Sequence, residues 1–293
     1  YVAFITSIIL ILLSIGLFFL NGLNFGIDFK GGTLIEIETQ NKIEISEVRS
    51  SLNSLSLGDI QVQEFGSDKN LLIRIEQQQG GDQIQQNVLE IVKQKLMNDI
   101  SETINFRRTE VVGPKVSGEL IQSGTIAILV AVFAMLIYIW LRFEWQFSLG
   151  AVIALLHDVI LTIGVFCLTQ LEFNLPIIAA ILTIVGYSMN DTVVVYDRVR
   201  ENLRKFRSKE ITSLLNLSIN ETLSRTIVTS VTTLLALVSL YIFGGEVIKG
   251  FTFAMIWGVL VGTYSSIFVA APLLTYLDVK REWNTTTAVD STK

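Results

Sequence analysis

The chain has 293 residues, 51% of them hydrophobic and 17% charged, with a mean hydropathy of +0.55. Soluble domains carry roughly a quarter charged residues, so this balance excludes an ordinary soluble protein and points to a membrane one. A single cysteine, Cys167, and a single histidine, His157, exclude an internal disulfide framework and a Cys-rich metal site and leave little for a His-based zinc site, while a net charge of −5 gives no basis for nucleic-acid binding.

A membrane helix needs about 20 mostly apolar residues. Six runs qualify: Val2 to Leu20, Ile121 to Leu141, Phe147 to Leu168, Leu175 to Tyr196, Thr226 to Phe243 and Phe251 to Leu277. The first is longer than the hydrophobic region of a signal peptide and no small-x-small cleavage site follows it, so it reads as a retained anchor. A short leader is expected before Tyr1. Charge is unevenly spread, since 25 of the 49 Asp, Glu, Lys and Arg residues lie between Asn21 and Leu120. The segment 21–120 is therefore expected to be a water-soluble domain inserted between spans one and two.

Within that insert the periodicity alternates. Thr33 to Thr39 has the period of a strand; Ser46 to Leu55 repeats Val48, Leu52 and Leu55 at helical spacing, with Ser46 as the expected N-cap. Strands follow at Ile60 to Phe65 and Leu71 to Glu76, separated by a Gly66-Ser67-Asp68 turn. A helix from Gln83 to Leu96 places Ile84, Val88, Ile91, Val92 and Leu96 on one face, and a last strand, Ile104 to Val112, returns through Gly113-Pro114 to the membrane. The order βαββαβ is that of an α+β ferredoxin-like fold. About 80 residues bury a modest core, so the domain is expected to be marginal and mobile, with its carboxylates facing solvent. It contains no His or Cys and no catalytic set. Its sheet edges suit strand addition by an unfolded polypeptide.

Basic residues in short loops set orientation. The segment 197–225 between spans four and five carries Arg198, Arg200, Arg204, Lys205, Arg207, Lys209 and Arg225, and the tail 278–293 carries Lys280 and Arg281. The loop between spans three and four has only Glu172. Both termini are thus expected in the cytoplasm and the insert on the far side, the periplasm of a diderm bacterium.

An ionisable residue inside the bilayer is costly, at least about 2.5 kcal/mol on insertion scales, and is a functional candidate by default. Asp158 lies beside His157 at mid-depth in span three, and Asp191 lies in span four among Ser188, Asn190 and Thr192. Ser188 and Thr192 are near enough to satisfy Asp191 as a merely structural carboxylate, and a His-Asp pair can simply hold helices together. Arg225 opens span five at a depth where it can pair with Asp191, or it can snorkel to the headgroups. Thr226, Thr229, Ser230, Thr232 and Thr233 follow, either lining a hydrated path or packing between helices. Gly258-x-x-x-Gly262 in span six allows close helix approach.

Four stretches carry a family resemblance: Gly26-Ile27-Asp28-Phe29-Lys30-Gly31-Gly32-Thr33 after span one, Val112 to Leu120 (VGPKVSGEL) before span two, Leu156-His157-Asp158 in span three, and Gly186 to Arg198 (GYSMNDTVVVYDR) in span four. In order and over essentially the whole chain, they resemble the SecD/SecF family of bacterial protein-export membrane proteins, and its SecF branch in particular. The resemblance implies a six-helix half bundle of the kind found in the RND superfamily, seated among inner-membrane lipid. It implies SecD, the SecY channel complex with its accessory subunit YajC, and unfolded secreted polypeptide as partners. It implies no catalysis and no cofactor, protons being the coupling ion. It makes Asp191 the proton-carrying carboxylate and Arg225 its basic partner, and it makes Gly26, Asp28, Gly31, Gly32, Gly113 and Pro114 the joints through which spans one and two move the insert. An RND-type small-molecule antiporter half and a passive scaffold remain alternatives. An intramembrane aspartyl protease using Asp158 and Asp191 is disfavoured, because no Gly-x-Gly-Asp accompanies Tyr196-Asp197.

Overall fold

The computed structural model describes residues 2–78, 80, 82–100, 103–277 and 279; Lys280 and Arg281 of the expected cytoplasmic tail lie outside them. Among these residues, six helices are long and apolar enough to cross a membrane. They are α1 (Val2–Leu20), α5 (Pro114–Arg142), α6 (Trp145–Thr169), α7 (Leu175–Lys205), α8 (Ile211–Phe243) and α9 (Glu246–Ser265). The last continues through a π-helical turn, Ser266–Ala270, into the short α10 (Ala271–Leu273). In α6, α7 and α9, 56% of the most apolar stretch is buried, against 11% in α1, α5 and α8. The first three therefore form the centre of the bundle, and the others turn mostly apolar faces outward, as Leu12, Phe133 and Leu235 do.

Two helices run past the limits set by hydropathy. α7 continues to Lys205 and α8 begins at Ile211, so most of the expected 197–225 loop is helical and only residues 206–210 turn. The reason is a shared apolar contact beyond the apolar runs: Val199 and Leu203 pack in the same buried cluster as Leu214 and Leu215. The polar residues on the outer faces conceal that continuation. Asn202 adds a buried polar tie, donating to Ser218 Oγ at 3.0 Å and to Glu221 at 2.8 Å. α5 likewise starts at Pro114 rather than Ile121, since proline suits a first helical position, where its missing N–H is no loss.

Between α1 and α5 lies the insert: α2 (Ile27–Lys30), β1 (Gly32–Glu38), α3 (Ile45–Asn53), β2 (Ile60–Phe65), β3 (Ser67–Ile75), α4 (Asp82–Asp99) and β4 (Asn105–Val112). Its antiparallel sheet has the order β2-β3-β1-β4, the ferredoxin-like arrangement expected from βαββαβ. One face packs Ile35, Ile37, Ile73 and Ile75 against Val48 and Leu52 of α3 and Val88, Val92 and Leu96 of α4. The stripe on α4 continues to Gln85, which donates to Thr33 Oγ1 at 2.8 Å; Ile84 and Ile91 are exposed instead, because the buried face steps back by four from Leu96 to Val92 and Val88 and then by three to Gln85, keeping to the 3.6-residue turn where a further step of four would reach Ile84. Ser46 is not the cap of α3. The helix starts one residue earlier, behind Glu44.

The other sheet face looks toward the membrane helices, so β1 is buried on both sides. Glu36 is buried there, opposite Arg108 in the register, an exception to the expected solvent-facing carboxylates. Arg74 pairs with Glu172 of the α6–α7 loop at 2.8 Å, and a cavity of about 400 Å³ separates this face from the ends of α7, α8 and α9.

Candidate functional site

Helix α9 reaches α7 along its small residues. A side chain on Gly258 would collide with Ile184, and one on Gly262 would stand 3.0 Å from Ser188 Cβ. The Gly258-x-x-x-Gly262 partner is therefore α7, and this close approach brings the serines that follow Gly262 within reach of carboxylates on two neighbouring helices.

Asp158 on α6 is 1% exposed. Its Oδ1 meets His157 Nδ1 at 2.9 Å, and its Oδ2 accepts from Ser188 Oγ of α7 at 2.5 Å and Ser265 Oγ of α9 at 2.7 Å. His157 stacks on Tyr264, with centroids 6.1 Å apart, and its Nε2 is buried without a partner among the described residues. Asp191 on α7 is 8% exposed. It accepts from Thr226 Oγ1 of α8 at 2.7 Å and from Ser266 Oγ at 2.6 Å. Two consecutive serines thus serve two different carboxylates. Ser266 opens the π-helical turn, a wider local winding that recurs at functional sites.

Three sequence expectations change here. Ser188 bonds Asp158 rather than Asp191, and neither Asn190 nor Thr192 bonds either carboxylate among the described residues. Arg225 does not pair with Asp191: adjacent helix positions point about 100° apart, Thr226 takes the inward direction, and Arg225 is exposed, its guanidinium making no hydrogen bond or ion pair among the described residues. The hydroxyls of Thr229, Thr232 and Thr233 bond carbonyls of their own helix, so of the threonine-rich stretch only Thr226 and Ser230 tie α8 to its neighbours among the described residues, Ser230 through Thr263 Oγ1 at 2.7 Å. Sequence reasoning missed Ser265 and Ser266; their sole signal was a polar pair in an apolar span.

The segment joining α1 to the insert is strapped to the α6–α7 loop. Gly26 N–H donates to Phe173 O and Phe173 N–H to Asn24 O, both at 2.8 Å, Asn24 Nδ2 donates to Gln170 O at 2.9 Å, and Phe25 and Phe29 pack on Phe173. Gly26 permits this approach, because a Cβ would stand 2.5 Å from Glu172 Oε1. Gly31 ends α2 at φ +72°, and Gly32 enters β1 at φ +120°, where a side chain would collide with the Ile75 carbonyl. Asp28 Oδ2 accepts from the backbone N–H of Leu175 at 2.7 Å. It thereby caps α7 from 147 positions away. The side chain of the residue in the N-cap position, Asn174, makes no capping bond of its own. At the second joint Gly113 precedes α5, its carbonyl accepting from Ser117 N–H.

At the opposite end, Arg142 grips both oxygens of Asp197 at 2.8 and 3.2 Å. Arg198 pairs with Glu201 and Glu221 at 2.7 and 3.0 Å. Trp140 and Trp145 are exposed beside them, as in an interfacial aromatic belt.

Comparison with known proteins gives this geometry a context. Residues 92–280 match the family model described as protein export membrane protein SecD/SecF, C-terminal, and residues 16–43 match the SecD/SecF GG motif. The protein translocase subunit SecF of Rickettsia bellii is 48% identical over 96% of this chain and 92% of its own length. That of Cereibacter sphaeroides is 50% identical over 89% and 82%. The crystal structure of SecDF from Thermus thermophilus, described as a translocon-associated membrane protein, superposes with a TM-score of 0.82 at 35% identity over 92% of this chain. SecDF in a super-membrane-facing form gives 0.68 at the same identity over 94%. The chain spans 37% of each SecDF chain. The chain belongs to the SecD/SecF family of protein export membrane proteins.

Proposed function

We propose that this protein works with SecD beside the SecY channel and YajC, in the inner membrane, and couples the proton gradient to late steps of preprotein translocation. The observation that carries the reading is Asp191, a buried carboxylate on a central helix that grips two other elements through Thr226 and Ser266. An ionised carboxylate accepts from both hydroxyls. A protonated one must itself donate through one oxygen, so one of the two hydroxyls has to turn its own hydrogen away and accept instead, which reverses a tie from α7 to α8 or to the π-helical turn and strips it of its charge-assisted strength. Moving one charge through 100 mV supplies about 2.3 kcal/mol, and at about 1.4 kcal/mol per tenfold that biases two helix arrangements by roughly fifty to one.

The His157–Asp158 pair is part of the same polar centre and joins α6, α7 and α9. Arg225 projects from α8 outside this half bundle, where a second half would have to neutralise its charge. The basic cluster of Arg142, Arg198, Arg200 and Arg204 supports a cytoplasmic position for that end, and hence a periplasmic insert able to meet unfolded cargo. The unequal fit to two SecDF forms at equal identity supports a family that adopts more than one arrangement of the same parts.

Asp191→Asn is the test. The variant is expected to assemble with SecD and to lose gradient-dependent export, read as accumulation of uncleaved preproteins. Gradient-dependent export at the parental rate overturns the reading, and drug sensitivity with normal preprotein processing would move it to a small-molecule antiporter.

A further inference from the structure

We propose that Asp28 is the positioning residue that makes the insert follow α7, so that movement of the helix carrying Asp191 is delivered to the insert through its first joint. The inference rests on the proton-driven reading above. Covalent connection alone would make α1 and α5 the levers. The hydrogen bonds favour another route. Asn24 and Gly26 pair with the backbone of Phe173, Gln170 Nε2 donates back to Gly22 O at 3.1 Å, and Arg74 of β3 holds Glu172. The joint and the sheet are thus both fastened to the loop that leads into α7. Asp28 completes the fastening on the helix itself, because its bond is to the first residue of α7.

The chemistry suits a durable attachment. The first amides of a helix have no partner within it, and a carboxylate there also faces the positive end of the helix dipole. Pro176 contributes no N–H, and Ile177 N–H is taken by Asn174 O, so among the first three helical residues Leu175 has the N–H left for a residue from outside. From Leu175 to Asp191 the helix is unbroken, about 24 Å at 1.5 Å per residue. A tilt or slide of α7 at the depth of Asp191 therefore reaches Asp28 without passing through a loop. Gly31 and Gly32 follow once Phe29 and Lys30 have completed α2, and they turn the chain from the latch into β1, the inner strand that pairs with both β3 and β4.

The test uses the full chain in lipid nanodiscs with spin labels carried on non-canonical amino acids at Asn87 of α4 and Phe243 of α8, both exposed. In the parent, Asp191→Asn is expected to shift the distance distribution between them. Asp28→Ala should abolish that shift, and Asp28→Asn, which keeps an acceptor oxygen, should restore it. Leu175→Pro removes the same bond from the donor side and guards against misfolding of the alanine variant. Proline suits the first helical position, and the extended backbone of Asn174, φ −124° and ψ 179°, suits the residue before a proline. A parental shift in either Asp28→Ala or Leu175→Pro overturns the proposal. A parent that does not respond to Asp191→Asn overturns the proton-driven reading instead. The latch is then judged by amide exchange at Leu175 in Asp28→Ala, where tenfold acceleration supports it and an unchanged rate refutes it.

Discussion

Replacing Asp158 separates its acceptor role from its charge. Its carboxylate takes three donors, His157 Nδ1, Ser188 Oγ and Ser265 Oγ, at 2.9, 2.5 and 2.7 Å. In Asp158→Ala, Ser265 retains a bond to Gly262 O at 3.1 Å, but His157 Nδ1 and Ser188 Oγ are left as buried donors. Interhelical hydrogen bonds in membranes average about 0.6 kcal/mol, so the two lost to Ser188 and Ser265 set a floor near 1 kcal/mol. Two orphaned donors at about 1–3 kcal/mol each set a ceiling near 6. Asparagine behaves differently. Its carbonyl keeps both serines, and its amide is accommodated if the His157 proton moves from Nδ1 to Nε2, where an unpaired buried acceptor becomes an unpaired buried donor. Asp158→Asn is therefore expected within about 1 kcal/mol of the parent. Reversible unfolding in mixed micelles with SDS, followed by helical circular dichroism, measures both. An alanine variant as stable as the parent, or an asparagine variant as damaged as the alanine one, would refute the assignment of Asp158 as an interhelical brace.

Two glycines in different settings should respond unequally to alanine. Gly32→Ala forces a side chain into φ +120° and against the Ile75 carbonyl, so about 2 kcal/mol or more should be lost, seen as protease sensitivity of the insert; Gly16→Ala meets nothing within 4 Å and should be silent, and equal effects would contradict the packing described. In the insert, Lys95 first and Ser51 second hold the Asp99 carboxyl below the usual carboxylate range by hydrogen bonding. A lowered folded value means that its contribution is fully present above the unfolded value and is lost as pH falls through the folded one. Ser51→Ala should move the Asp99 titration upward in side-chain carbon NMR, and an unmoved titration would show that the Ser51 bond does not hold it.

The spans were legible because an apolar run of bilayer length has few other uses, and the insert because its period switches from two to 3.6 and back. Helix ends were not. Val199, Leu203, Leu214 and Leu215 extend α7 and α8 through a stretch whose charges dominate any hydropathy average. The stripe on α4 was misread at Ile84 because hydrophobicity was weighed above direction, and Gln85, a polar residue, holds the buried position.

At the site, the carboxylates stood out, because a charge in an apolar run is conspicuous, but their partners did not. The Asp191 donors lie 35 and 75 positions away and the Asp28 donor 147. Charge attraction suggested Arg225, one residue from the true contact, Thr226. No pattern of residue types announces a π-helical turn, yet that turn separates the two carboxylates in role. Asp158 is held by donors from its own helix, from α7 and from α9, so disturbing it loosens the centre of the bundle. Asp191 is held by two donors, one on α8 and one on the turn. A proton arriving there needs to reverse and weaken only one of these ties. With Ser265 fixed on Asp158, the turning of the Ser266 hydroxyl from Asp191 toward Thr263 O at 3.0 Å can be local, confined to a turn already wound more loosely than the helix before it. On the proposed reading the donors to the brace and to the switch are adjacent residues, Ser265 and Ser266, of one stretch of backbone, and the helix that Asp158 holds through Ser188 and that carries Asp191 is the one whose far end Asp28 caps.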